Sequence, residues 1–147
     1  MTTARGIDQN APIVVRLETR IAAPVEAVWA LHTGIDDWTT WHTDITEARL
    51  NGSLAPGSRF RWSTAGLTID STLYAVEAPH RILWGGPAHG ITGIHCWTFE
   101  ADGDTTLVRT EESWGGEPVR ANTDAMRHAL EQSLRRWLDI LRETAEA

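Results

Sequence analysis

Between Thr43 and Trp114 the chain reads as strand after strand, each closed by a tight turn, and only afterwards does one long amphipathic stretch appear. Pro56-Gly57, Ala65-Gly66, Ala78-Pro79, Gly85-Gly86-Pro87 and Asp102-Gly103 are the punctuation. They divide the region into candidate strands Thr43–Leu50, Ser58–Thr64, Leu67–Glu77, Arg81–Gly85, Ile91–Glu100 and Thr105–Trp114. Strands joined by connections this short pair antiparallel, because a parallel pair needs a long crossover. A chain so arranged builds a meandering sheet, and its one long helix must cover that sheet's apolar face.

The ends of the chain agree with this. Ile13, Val15, Leu17, Thr19 and Ile21 alternate with Val14, Arg16, Glu18 and Arg20, the pattern of a half-buried strand. Pro24 stands at a first helical position, and Val25, Val28 and Trp29 recur at helical spacing. A second short helix is expected over Asp36 to Trp41. Gly115-Gly116 ends the sheet and Pro118 opens the last helix. Its stripe is Thr123, Met126, Leu130, Ser133, Trp137 and Ile140, widened by Leu134, Leu138 and Leu141. Arg127, Glu131, Arg135, Asp139 and Arg142 lie opposite. The expected fold is α+β, with about seven antiparallel strands curved around a long C-terminal helix and two short helices after the first strand.

Two hairpins are registered by their turns. A two-residue turn at Ala65-Gly66 pairs Trp62 with Ile69, Phe60 with Ser71 and Arg61 with Asp70. Phe60, Trp62, Ile69, Ser71 and Leu73 then form an apolar face, and Arg61 with Asp70 an exposed ion pair. A type I′ turn at Asp102-Gly103 pairs Phe99 with Thr106, Trp97 with Val108, His95 with Thr110 and Gly93 with Glu112. It gathers His95, Trp97, Thr110, Glu112 and Trp114 on one face, with His95 and Glu112 diagonal neighbours. A one-residue slip would set His95 with Arg109 and Glu111 instead.

Composition excludes several functions. The net charge is -7 with no basic cluster, which argues against nucleic acid and anionic membrane as partners. All 13 basic residues are arginine, so lysine Schiff-base chemistry is out. No run approaches the roughly 18 apolar residues of a membrane span. Met1 to Ala11 is polar and reads as a disordered leader without a secretory signal, which makes the cytoplasm the default location. Cys96, the sole cysteine, lies in an apolar run and reads as a buried structural thiol. Eight tryptophans stand against two phenylalanines and one tyrosine; most serve a core, and some are expected to line a cavity.

Four segments carry a family resemblance: Ala23-Pro24-Val25-Glu26-Ala27-Val28-Trp29, Trp38-Thr39-Thr40-Trp41, Pro56-Gly57-Ser58-Arg59-Phe60-Arg61-Trp62 and Thr110-Glu111-Glu112-Ser113-Trp114. In this order, and across nearly the whole chain from Ile13, they resemble the START-like superfamily of polyketide cyclases, dehydrases and lipid-transport proteins. The resemblance implies the helix-grip fold over residues 12–147, and a deep cavity between the sheet and the last helix. The superfamily includes polyketide aromatase/cyclases, lipid and sterol carriers, hormone receptors and chaperone-activating domains, and it has no universal catalytic motif. The cavity wall is expected from Trp41, His42, Phe60, Trp62, Ile69, Ser71, Trp84, Trp97, Thr110 and Trp114. Thr123, Met126 and Leu130 would roof it, although such a stripe is first of all core packing.

His95 with Glu112 is the candidate catalytic pair, since a histidine beside a carboxylate in a dry wall can move protons near neutral pH. The plainer reading is that they satisfy one another. His42 is expected on the rim of the mouth, His89 as an exposed histidine of the Gly-Gly-Pro-Ala-His-Gly loop, which could act as a flap, and His32, His80 and His128 at the surface or at helix ends. No cofactor and no metal are expected: His95 and Cys96 point to opposite faces of their strand, and no His-Glu-x-x-His, phosphate-binding glycine loop or Gly-x-Ser-x-Gly is present. Three functions stay open: a carrier of a small hydrophobic molecule, a polyketide cyclase, aromatase or dehydratase using His95 and Glu112, and a protein-interaction module. The sequence leaves the oligomeric state open between monomer and homodimer. An open space among Trp62, Ile69, His95, Trp97, Glu112 and Met126 would favour the first two, and a filled one the third.

Overall fold

The computed structural model describes residues 4–147. Its elements are β1 (Ile13–Ile21), α1 (Val25–Thr33), a 3-10 turn (Ile35–Asp37) running into α2 (Trp38–Trp41), β2 (Ile45–Asn51), β3 (Arg59–Thr64), β4 (Leu67–Glu77), β5 (Arg81–Ala88), β6 (Ile91–Asp102), β7 (Thr105–Gly115), α3 (Glu117–Ala121) and α4 (Thr123–Glu146). Among the described residues, seven strands make one sheet in the order β1-β7-β6-β5-β4-β3-β2, antiparallel throughout. This is the expected α+β helix-grip architecture.

The β3–β4 hairpin has the register its turn demands. Ala65 and Gly66 adopt φ of 52° and 78°, as a type I′ turn requires. Trp62 faces Ile69, Phe60 faces Ser71 and Arg61 faces Asp70. Arg61 Nε sits 2.9 Å from Asp70 Oδ1 on the solvent side.

The β6–β7 hairpin differs from expectation by one step of its turn. Asp102 pairs with Thr105, so the central residues are Gly103 and Asp104. Gly103 carries the positive φ, 61°, at the first central position, which is the type II′ arrangement and one that glycine adopts without strain. The Asp-Gly dipeptide is therefore read one residue too early. Each residue keeps its face, because the pairing moves by two positions along one strand. Its partner changes: His95 opposes Glu112, Trp97 opposes Thr110, and Gly93 opposes Trp114.

β5 does not stop at Gly85 to leave a flap. It continues through Gly86 and Pro87, and the turn is His89-Gly90. Gly85 is held there by close backbone approach, since a Cβ at this position would lie 2.2 Å from the Gly93 carbonyl oxygen. The last helix is likewise broken in two. Asn122, at φ -151° and ψ 51°, separates α3 from α4, so Pro118 belongs to a short preceding turn. Ser133, expected on the covered stripe, is exposed.

Residues 4–11, expected to be a disordered leader, lie against the sheet's outer face; Met1 to Thr3 lie outside the described residues. Ile7 is buried with Leu83 and Cys96. The Asp8 N–H donates to Ser113 Oγ at 2.9 Å. Under the concave face are two apolar clusters. The larger joins α1, α2 and the C-terminal half of α4 to the sheet through Trp38, Trp84, Trp97, Phe99 and Trp137. The smaller joins Ile13, Val15, Val119, Leu130 and Leu134, with Met126 and Trp114 at its edge.

Candidate active site

β6 and β7 present His95 and Glu112 side by side on the covered face, because residues paired in an antiparallel ladder project together. His95 Nδ1 is 3.1 Å from Glu112 Oε1. His95 Nε2 lies 2.7 Å from Thr110 Oγ1, and the Trp114 indole N–H donates to Glu112 Oε2 at 2.6 Å. Each polar atom of the imidazole and carboxylate thus has a partner, and the four residues form a polar seam whose ends touch both apolar clusters. His95 also packs between Trp84 and Trp97, with ring centroids at 4.7 and 5.1 Å.

Burial raises the Glu112 carboxyl from 4.5 to about 7, against a smaller opposing effect of the Trp114 hydrogen bond. Burial, helped by the nearby His32, holds His95 well below 6.5. At neutral pH the pair carries at most one titratable proton, and Glu112 is the member that takes it while His95 stays neutral. When Glu112 holds it, the carboxyl donates to Nδ1 and the Nε2–H donates to Thr110. When Glu112 is ionised, the Nδ1–H donates to it and Thr110 donates to Nε2. The Glu112 side chain is 15% exposed against 4% for His95, so Glu112 is the member a guest would meet.

The expected wall residues divide sharply. His42, Phe60, Ser71, Trp84, Trp97, Thr110 and Leu130 are buried and packed on all sides. Trp41, Trp62, Ile69, Trp114, Thr123 and Met126 are half-buried. The inner end of the expected space, at Trp97 and His95, is therefore filled by rings, and the part in contact with solvent is the rim at Trp62, Ile69, Glu112, Trp114 and Met126. Trp62 is tied to the wall by its indole N–H, 3.2 Å from Ser71 Oγ.

His42 is not a rim residue; it is 3% exposed and stacks on Trp137, with ring centroids 4.5 Å apart. His32 is not at the surface either; it is fully buried among Trp38, Trp97, Phe99 and Trp137. A signal for His32 was present: Val25, Val28, Trp29 and His32 fall at i, i+3, i+4 and i+7, one face of α1. His89 is the exposed loop histidine expected, in the turn after β5, and its Nε2 lies 3.0 Å from the Thr68 carbonyl oxygen.

A surface cleft of about 580 Å³, lined in part by Asp44, Thr64, Ser133 and Arg136, runs between α4 and the β3–β4 turn. Another, of about 550 Å³, lies on the outer face beside Arg16, Cys96 and Glu111. Neither reaches His95 or Glu112. Among the described residues no three His, Cys, Asp or Glu side chains gather as a metal site, and no helix is long and apolar enough to cross a membrane.

The family model for polyketide cyclase / dehydrase and lipid transport matches residues 12–146. The chain belongs to this family. Among curated proteins, none matches it. Solved structures share the cyclase/lipid-transport fold at low identity. A hypothetical protein from Helicobacter pylori superposes with a TM-score of 0.81 at 20% identity, covering 99% of each chain. A START superfamily protein from Mycobacterium smegmatis gives 0.77 at 14% identity, over 90% of this chain and 97% of that one. The di-domain ARO/CYC StfQ from the steffimycin biosynthetic pathway gives 0.69 at 22% identity, and the match spans 90% of this chain and 44% of that one.

Proposed function

We propose that this member of the polyketide cyclase/dehydrase and lipid-transport family binds a small, largely apolar molecule bearing a carbonyl or hydroxyl group at the Trp62–Ile69–Glu112–Trp114–Met126 rim, and that Glu112 exchanges a proton with it. The observation that carries this reading is the 3.1 Å contact between His95 Nδ1 and Glu112 Oε1, with Glu112 the more exposed of the two. A carboxyl whose affinity for protons is set near pH 7 serves as acid and base by turns. In a dehydration, ionised Glu112 takes the proton from the carbon beside the carbonyl. The enolate so formed expels the hydroxyl, which takes the proton back from Glu112 and leaves as water, and Glu112 returns to the carboxylate that faces His95 Nδ1 and the Trp114 indole N–H.

A second reading, a protein-interaction module with a closed interior, is favoured by the close packing of Trp38, Trp84, Trp97 and Trp137. A carrier without chemistry is the third. Tryptophan fluorescence titrated with aromatic polyketide and flavonoid-like compounds separates them, repeated on Glu112→Gln and His95→Ala. Saturable quenching with conversion by wild type alone makes the protein an enzyme. Quenching without conversion makes it a carrier. No quenching by any compound leaves the interaction module.

A further inference from the structure

Among the described residues, six buried side-chain nitrogens have no hydrogen-bond partner: both ring nitrogens of His32, both of His42, and the indole N–H groups of Trp41 and Trp97. These four residues come from α1, from α2 and the residue after it, and from β6. All four converge on Trp137 of α4. Ring centroids stand 5.6 Å from Trp137 for His32, 4.5 Å for His42, 6.1 Å for Trp41 and 5.4 Å for Trp97. Buried polar groups are nearly always satisfied, so a cluster this concentrated asks for a cause.

A neutral imidazole can be packed dry at a cost. An imidazolium cannot, because it carries a full charge and two N–H donors that need acceptors. No carboxylate packs against His32. Its neighbours are Trp38 from α2, Trp97 and Phe99 from β6, and Trp137 from α4, and the titratable groups acting on it or beside it are His42 and His95. His42 packs against Trp41 and Trp137, with Asp44 attracting its charged form and Arg136 of α4 repelling it. Asp44 and Arg136 are already paired with one another. His95, the third buried histidine, has Glu112 and Thr110 as partners and is satisfied. An imidazolium at His32 or His42 needs acceptors that the surrounding rings do not supply, and parting α4, which carries Trp137, from α1 and α2 would uncover both.

We propose that His32 and His42 form an acid-sensitive latch, buried against Trp137, which releases α4 from α1 and α2 as the pH falls and opens the tryptophan-rich interior while the sheet stays folded. Between the pH at which a free histidine takes its proton and the pH at which the packed ring does, the open population rises about tenfold per pH unit for each histidine. The latch would govern entry of the molecule assigned to the rim, and only that consequence rests on the ligand-binding reading.

Collisional quenching of tryptophan by acrylamide, followed from pH 7.5 to 4.5 beside far-ultraviolet circular dichroism, tests it. The expected result is a rise in quenching with the dichroism unchanged, and no rise in His32→Phe/His42→Phe. The proposal is overturned by unchanged quenching, by equal quenching in the variant, or by loss of dichroism at the same pH. Should the variant not fold, ring-proton resonances of the wild type decide. His32 and His42 titrating with an ordinary midpoint in the closed protein would also overturn it, and rings neutral until opening uphold it. Binding of 1-anilinonaphthalene-8-sulfonate at the opening pH reports access for apolar guests. Opening without dye binding keeps the latch and defeats the ligand reading.

Discussion

His95 and Glu112 are direct cross-strand partners, and the 3.1 Å between His95 Nδ1 and Glu112 Oε1 follows from that pairing. Their contact lies where the two apolar clusters meet. Each ionisation of the pair therefore changes both the chemistry of the rim and the stability of the wall behind it.

Glu112 makes stability fall as pH rises. Its carboxyl keeps a proton to about pH 7 in the folded protein, whereas an unfolded chain releases it near 4.5. Over that window the folded state binds more protons, and the loss is about 1.4 kcal/mol per pH unit. His32 acts the other way. Its folded pKa is lowered from 6.5 to about 3, so the unfolded chain binds more protons in between and stability rises with pH. Urea unfolding from pH 4.5 to 8 is expected to find these trends partly cancelling up to about 6.5. Glu112→Gln leaves a curve that climbs more steeply with pH, and His32→Phe a flatter one, since His95 and His42 still take up protons on unfolding. A profile identical to wild type in either variant would refute the assignment.

Trp114→Phe removes the indole N–H that donates to Glu112 Oε2 at 2.6 Å. That bond favours the carboxylate, so its loss moves the Glu112 midpoint further up, with the sheet intact. Infrared titration of the carboxyl band measures it. A midpoint that stays or falls means Trp114 does not tune the acid.

Gly85→Ala sets a Cβ 2.2 Å from the Gly93 carbonyl oxygen and 2.9 Å from Ile94 Cα, both backbone atoms of β6. The strands must part, and a loss of at least about 2 kcal/mol in chemical denaturation is expected. Gly6→Ala meets nothing within 4 Å and is the neutral control. Equal stabilities for the two variants would contradict the close approach of β5 and β6.

Cys96 is 4% exposed beneath Ile7, and burial pushes its thiol pKa up. At pH 8 a thiol reagent should modify native protein at least about tenfold more slowly than unfolded protein. Ile7→Ala should narrow the gap. Fast labelling of the native chain would mean the N-terminal segment does not cover the sheet there.

The elements that could be read from the sequence were those with a local period. Alternation assigned β1 correctly, and glycine-bearing turns closed the β3–β4 and β6–β7 hairpins near their true places. Face membership of His95, Trp97, Thr110 and Glu112 survived even where the turn was misplaced, because a period of two conserves it. The partner within that face did not survive. Whether Asp102 or Gly103 opens the turn depends on backbone conformation, and that choice decided whether His95 faces Thr110 or Glu112.

The burial of His32 and His42 was harder to read. His32 sits on the apolar stripe of α1, yet stripe membership does not say what the stripe meets. The filling of the interior by Trp38, Trp97 and Trp137 depends on rings from α2, β6 and α4, far apart in the chain, meeting in one layer. Thus sequence by itself determined the order of strands and helices, the face that the strand residues around His95 occupy and the family, since all of these rest on short-range pattern. Tertiary structure alone decided which ring packs on which, that rings fill the space between sheet and helix at Trp97 and Trp137, and that Glu112 is more exposed than His95. Packing is a property of side chains brought together from distant elements, and no local period encodes it.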